Sequence, residues 1–120
     1  METKEIFKTI FNGNLWCGRE SRSGTGSDLV ETENIIAELP KVFTELNIKS
    51  MLDIPCGDLN WMRYLTLNDI DYIGADIVPD AIVKAKENSK DLHAKSIQFY
   101  ELNLITDSGN KKLGVWKLND

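Results

Sequence analysis

The sequence predicts an α/β fold: a parallel sheet whose strands alternate with helices, with one or two helices ahead of it. Three observations predict this. Short apolar runs that end at a polar residue recur at residues 51–53, 72–77 and 96–102, closing near Asp53, Asp76 and Asn103. Stretches with helical periodicity separate them. The order strand, helix, strand, helix, strand requires parallel pairing through right-handed crossovers, a Rossmann-like arrangement.

The elements follow in order. Ile6, Phe7, Ile10 and Phe11 recur at helical spacing, so residues 4–11 form an amphipathic helix, ended by Asn12-Gly13-Asn14. Trp16 and Arg19 come next. They can face a ligand, or Trp16 can anchor packing. Residues 23–27, Ser-Gly-Thr-Gly-Ser, make a loop that either holds an anion on free N–H groups or simply connects. Asp28 and Glu31 have capping-box spacing, so a helix starts there with Ser27 or Asp28 as N-cap. It runs through Ile35, Ile36, Leu39, Val42, Phe43 and Leu46, and Pro40 makes it one kinked helix or two short ones.

The first strand leads to Pro55-Cys56-Gly57. Leu59, Trp61, Met62 and Leu65 then suggest a helix, ended at residues 67–69. The second strand ends at Asp76-Ile77, and Pro79 suits the first turn of the next helix. The third strand spans residues 96–102. Residues 113–118 could make one weak strand, with Gly114 inside it.

A chain of 120 residues fits one domain: an N-terminal helical and loop segment at 1–48, a βαβαβ core at 49–106 and an irregular tail at 107–120. Hydrophobic content of 42% and charged content of 28% are those of a globular domain, not a disordered one. A net charge of −5 argues against nucleic acid, whose phosphates need clustered Lys and Arg. No apolar run approaches the ~20 residues of a membrane helix, and the N-terminus lacks a signal sequence's apolar region. Cys17 and Cys56 are therefore expected as reduced thiols in a cytoplasmic protein. His93 is the single histidine, which excludes a His-based metal cluster; no metal is expected.

In open α/β sheets ligands bind beyond the carboxyl ends of the strands. Asp53 can orient the loop and accept bonds from a ligand ammonium. Asp76 can accept both hydroxyls of a ribose, since a carboxylate offers two acceptor oxygens. Asn103 can bond an adenine edge through donor and acceptor together. Gly57 lets the backbone approach a ligand, which a Cβ would obstruct. The alternative for each aspartate is a plain N-cap for the segment that follows. Cys56 reads as a small loop residue, because no histidine or basic cluster lies near it in sequence to lower its pKa.

The stretches LDIPCGDLNWM, YIGADIVPD and IQFYELNLITD resemble the first three strands of a class I S-adenosylmethionine-dependent methyltransferase. The chain departs from the family's three alternating glycines: Pro55 and Leu59 stand at the outer two positions. It is similar instead to a subgroup with an Asp-x-Pro-Cys-Gly form and an upstream Ser-Gly-x-Gly-Ser loop. The resemblance implies S-adenosylmethionine as cofactor, with Asp53, Pro55, Cys56 and Gly57 at its methionine moiety. It implies Asp76 at the ribose, Ile77 against the adenine and Asn103 where aspartate is more usual. It also implies a small-molecule or glycan-type methyl acceptor, which no residue here identifies; no catalytic residue carries over.

In the full family fold a fourth strand flanks the first. Its absence predicts an open edge on the first strand, prone to self-association. The expectation is a truncated product, an excised fragment, or a protein whose edge is covered by a partner or by residues 113–118. A cofactor-binding module without turnover is the second reading. A dinucleotide oxidoreductase is a distant third, since Pro-Cys-Gly-Asp-Leu-Asn lacks the Gly-x-Gly-x-x-Gly form.

Overall fold

A computed structural model describes residues 2–103. Helix α1 (Thr3–Asn12) and helix α2 (Leu29–Glu45) precede strand β1 (Ser50–Asp53). Strand β2 (Thr66–Asp76), helix α3 (Pro79–Asn88) and strand β3 (His93–Glu101) follow. The strands form one parallel sheet in the order β1-β2-β3. The chain is thus an α/β protein with the Rossmann-like half fold that the alternation of apolar runs predicts.

Helix α1 ends at Gly13 as the Asn-Gly-Asn signal suggests. Helix α2 passes through Pro40 as a single helix. It turns Ile36, Leu39 and Phe43 onto the core, and Asn47 follows its end with a left-handed φ of 54°. Asp28 holds the N-cap position without a side-chain capping bond. The first free amide of the helix, Leu29 N–H, donates instead to Glu20 Oε1 at 3.1 Å.

The connection from β1 to β2 departs from expectation. Leu59, Trp61, Met62 and Leu65 do not form an α-helix. Leu59 is left-handed, with φ of 62°, and the helical turn in this connection is a 3-10 turn at Met62–Tyr64. Leu59, Met62 and Leu65 are spaced by threes and all three are buried, which one tight turn satisfies as well as a helix does. The released length extends β2 back to Thr66, where Thr66 and Leu67 pair with His93 and Ala94. An irregularity between Leu67 and Asp71 shifts the register, after which Asp71 pairs with Ser96. β3 likewise starts earlier than the polar stretch at 88–95 suggests.

The main core gathers Leu59, Met62, Leu65, Leu67, Ile70 and Tyr72 with Ala85 of α3. Tyr72 is fully buried and meets Phe99 edge to face, with ring centroids 6.0 Å apart. Both rings close over Gly74, where a Cβ would lie 2.7 Å from Phe99 Cε1 and 3.0 Å from the Tyr72 hydroxyl. Gly74 pairs directly with Asp53 across β1 and β2. This glycine is therefore a slot in the sheet rather than a weak point.

Among the described residues β1 pairs with β2 alone, so its other edge has no strand beside it. The weak strand expected at 113–118 lies outside the described residues, as does the tail at 107–120. No helix among the described residues is long and apolar enough to cross a membrane.

Gly74→Ala should cost about 1–3 kcal/mol through overpacking against Phe99. Val83→Ala, at an exposed position of α3, should change stability by less than about 0.5 kcal/mol. Urea midpoints of the two variants check this.

Candidate functional site

The carboxyl ends of the three strands border a cavity of about 510 Å³. Asp53 closes β1, and the turn Pro55-Cys56-Gly57 forms its floor. Asp76 and Ile77 stand at the end of β2, and Asn103 lies just past β3. All seven residues singled out in the sequence thus line one cavity. Phe7 and Phe11 of α1 add an aromatic wall together with Trp16, which meets Phe7 edge to face at 6.3 Å.

Asp76 organises the turns. Its Oδ2 accepts from Gly57 N–H at 2.9 Å and its Oδ1 from Val78 N–H at 2.9 Å. One carboxylate thereby ties the turn after β1 to the turn that opens α3. This is a capping role wider than a single helix end. Burial pushes the Asp76 pKa up, while the amides of Val78, Gly57 and Ile77 pull it back.

Asp53 is held differently. Tyr72 donates its hydroxyl to Asp53 Oδ2 at 2.6 Å. Burial raises the Asp53 pKa, the Tyr72 bond opposes the rise, and the Asp76 charge adds to it. Burial and the Asp53 charge push the Tyr72 phenol far upward, so it stays protonated as a donor.

Cys56 continues the ladder, its N–H donating to Ala75 O at 2.8 Å. Burial, then the Asp53 and Asp76 charges, push its thiol well above the ordinary range. A thiolate nucleophile does not form there, in keeping with a loop residue.

Gly57 has φ of +59°, and a Cβ would lie 2.6 Å from Ser23 Oγ. The glycine is thus required by the chain's own loop before any ligand arrives.

The polar residues that build this loop carry no local sequence signal. Ser21 is buried and donates to Asp58 Oδ2 at 2.7 Å. Asn60 Nδ2 donates to Glu20 Oε1 at 3.0 Å and to Ser27 O at 2.8 Å. Asn88 of α3 donates to Asp58 O at 2.8 Å. The Gly/Ser loop is therefore pinned to the turn after β1 rather than being a plain connection. Ser23 and Ser27 line the cavity. The cation of the lining is Arg22, while Arg19, paired with Trp16 in the sequence, does not line it.

The cavity therefore combines three carboxylates (Asp53, Asp58 and Asp76), an aromatic wall and Arg22. Such a lining favours a ligand that combines a cationic group with an apolar body.

Ser21→Ala removes the donor to the buried Asp58 Oδ2, leaving the Asn60 N–H on Oδ1, and should cost about 1–3 kcal/mol in urea unfolding. Asp53 and Asp76 bind their protons more tightly in the folded chain than at the ordinary 3.8. Each therefore favours the folded state below that value and loses this contribution as pH rises through its raised folded value. Asp53→Asn should flatten that decline, and denaturation midpoints from pH 4 upward check it. A scan against protein-family models finds no match, and searches among curated proteins and solved structures find none either.

Proposed function

We propose that the cavity binds S-adenosylmethionine and that this chain is the cofactor-binding portion of a methyltransferase. The observation that carries this is the convergence of Asp53, the Pro55-Cys56-Gly57 turn, Asp76, Ile77 and Asn103 on one cavity. They come from three separate strand ends, at the place where open α/β sheets take nucleotides.

The residues fit the group. The ligand's ammonium and sulfonium suit a cavity bordered by Asp53, Asp58 and Asp76, and its carboxylate suits Arg22. The ribose hydroxyls suit the Asp76 carboxylate, and the adenine suits Ile77 with Asn103 at its edge. When bound, the cofactor supplies an activated methyl group. This chain's residues bind and orient it, and the wall of Phe7, Phe11 and Trp16 excludes water from one side.

Binding without turnover is the second reading. It is favoured by the lack, among the described residues, of any strand beyond β1 to carry acceptor-facing groups.

Calorimetry of the purified chain should show heat with both S-adenosylmethionine and S-adenosylhomocysteine. Heat from neither, in a folded sample, overturns the cofactor assignment. Asp53→Asn should weaken both ligands about tenfold or more, by removing a charged acceptor. Arg22→Gln should weaken S-adenosylhomocysteine about fivefold and leave 5′-methylthioadenosine, which has no carboxylate, unchanged. Equal losses for the two ligands would remove Arg22 from the carboxylate role.

A further inference from the structure

We propose that Tyr72 is a positioning residue of this site: its buried hydroxyl donates to Asp53 and so keeps it an ionised acceptor for the ligand's ammonium. The inference rests on the cofactor site proposed above.

The two aspartates of the cavity are mounted by different means. Asp76 takes two backbone N–H groups, which no side-chain substitution removes. Asp53 takes the Tyr72 hydroxyl, at 2.6 Å. That bond engages Oδ2 and leaves Oδ1 for the cavity that Asp53 borders.

Three positions make the arrangement. Tyr72 lies in the middle of β2, fully buried, where Phe would fill the same volume. Gly74, two residues on and on the same face, gives the phenol passage, since a Cβ there would be 3.0 Å from the hydroxyl. Asp53 pairs with Gly74 in register, so the hydroxyl reaches it across the slot. Phe99 holds the ring from β3. A buried phenol requires an acceptor, and this one has been given a carboxylate at the edge of a ligand cavity.

The groups that act on Asp53 are Tyr72 and Asp76 from β2 and Cys56 from the turn after β1, and the other charged residues lining the same cavity are Asp58 and Arg22. Tyr72 and Cys56 hold their protons throughout the neutral range. Asp76 keeps both amide donors whether or not Tyr72 has its hydroxyl. Loss of the hydroxyl therefore acts on Asp53 selectively. Without that donor, burial acts on the carboxylate unopposed, and protonation of Asp53 removes its attraction for a cation.

The test is the affinity of Tyr72→Phe for S-adenosylhomocysteine, measured by calorimetry from pH 5 to pH 9 beside the wild type and Asp53→Asn. The wild type should lose affinity on acidification. Tyr72→Phe should lose it at higher pH, bind about tenfold more weakly at the acidic end, and converge with the wild type at the alkaline end. Asp53→Asn should lack this limb. Superposed curves for wild type and Tyr72→Phe, or curves separated by one factor at every pH, overturn the inference while leaving the cofactor site standing. Failure of the wild type to bind at any pH removes both.

Discussion

The carboxylate of Asp76 is the constraint on which the rest of the site depends. It takes one amide from the turn after β1 and one from the turn before α3, so two separate loops share a single anchor. The backbone continues the same joint: Cys56 N–H bonds Ala75 O, and Leu102 N–H bonds Asp76 O. The ends of β1, β2 and β3 are thereby fixed to one another around residues 75 and 76. An aspartate at a strand end is often no more than a cap. Here the capping residue also lines a cavity.

The second anchor is polar and comes from far away in sequence. Asp58 and Asn60 receive and give hydrogen bonds to residues 20–27, and Asn88 of α3 holds the Asp58 carbonyl. These bonds turn a serine- and glycine-rich loop into a wall. They also bring α1 and its aromatic residues against the strand ends, so the beginning of the chain becomes part of a site built mainly by its middle.

The legible parts of the sequence are those governed by local pattern. Residues 51–53, 72–77 and 96–102 read as buried strands because a short apolar run that stops at a polar residue suits a strand buried on both faces. Pro79 marks α3, and an apolar stripe marks α1. That Asp53 and Asp76 close neighbouring parallel strands follows from the alternation alone. The helix expected after Gly57 does not form, because apolar residues spaced by threes suit a tight turn as well as a helix, and the left-handed Leu59 leaves no sequence mark. The Ser21–Asp58 and Asn60–Glu20 bonds join residues 37 and 40 positions apart, which no periodicity encodes. Tyr72 is legible as a core residue but not as the partner of Asp53. That depends on the register that sets Asp53 opposite Gly74.

The described sheet leaves β1 hydrogen-bonded along one side, through only Ser50–Asp53. Asp53 is thus mounted on a short cantilever. Among the described residues its stiffness comes from one neighbouring strand and one phenol, with no ladder on the other side to resist bending. Any strand added along that side would restrict the carboxylate, and a ligand gripping the carboxylate would restrict the edge in turn. Thermodynamic reciprocity makes the two effects equal: whatever factor edge pairing lends to ligand affinity, the ligand lends to edge pairing.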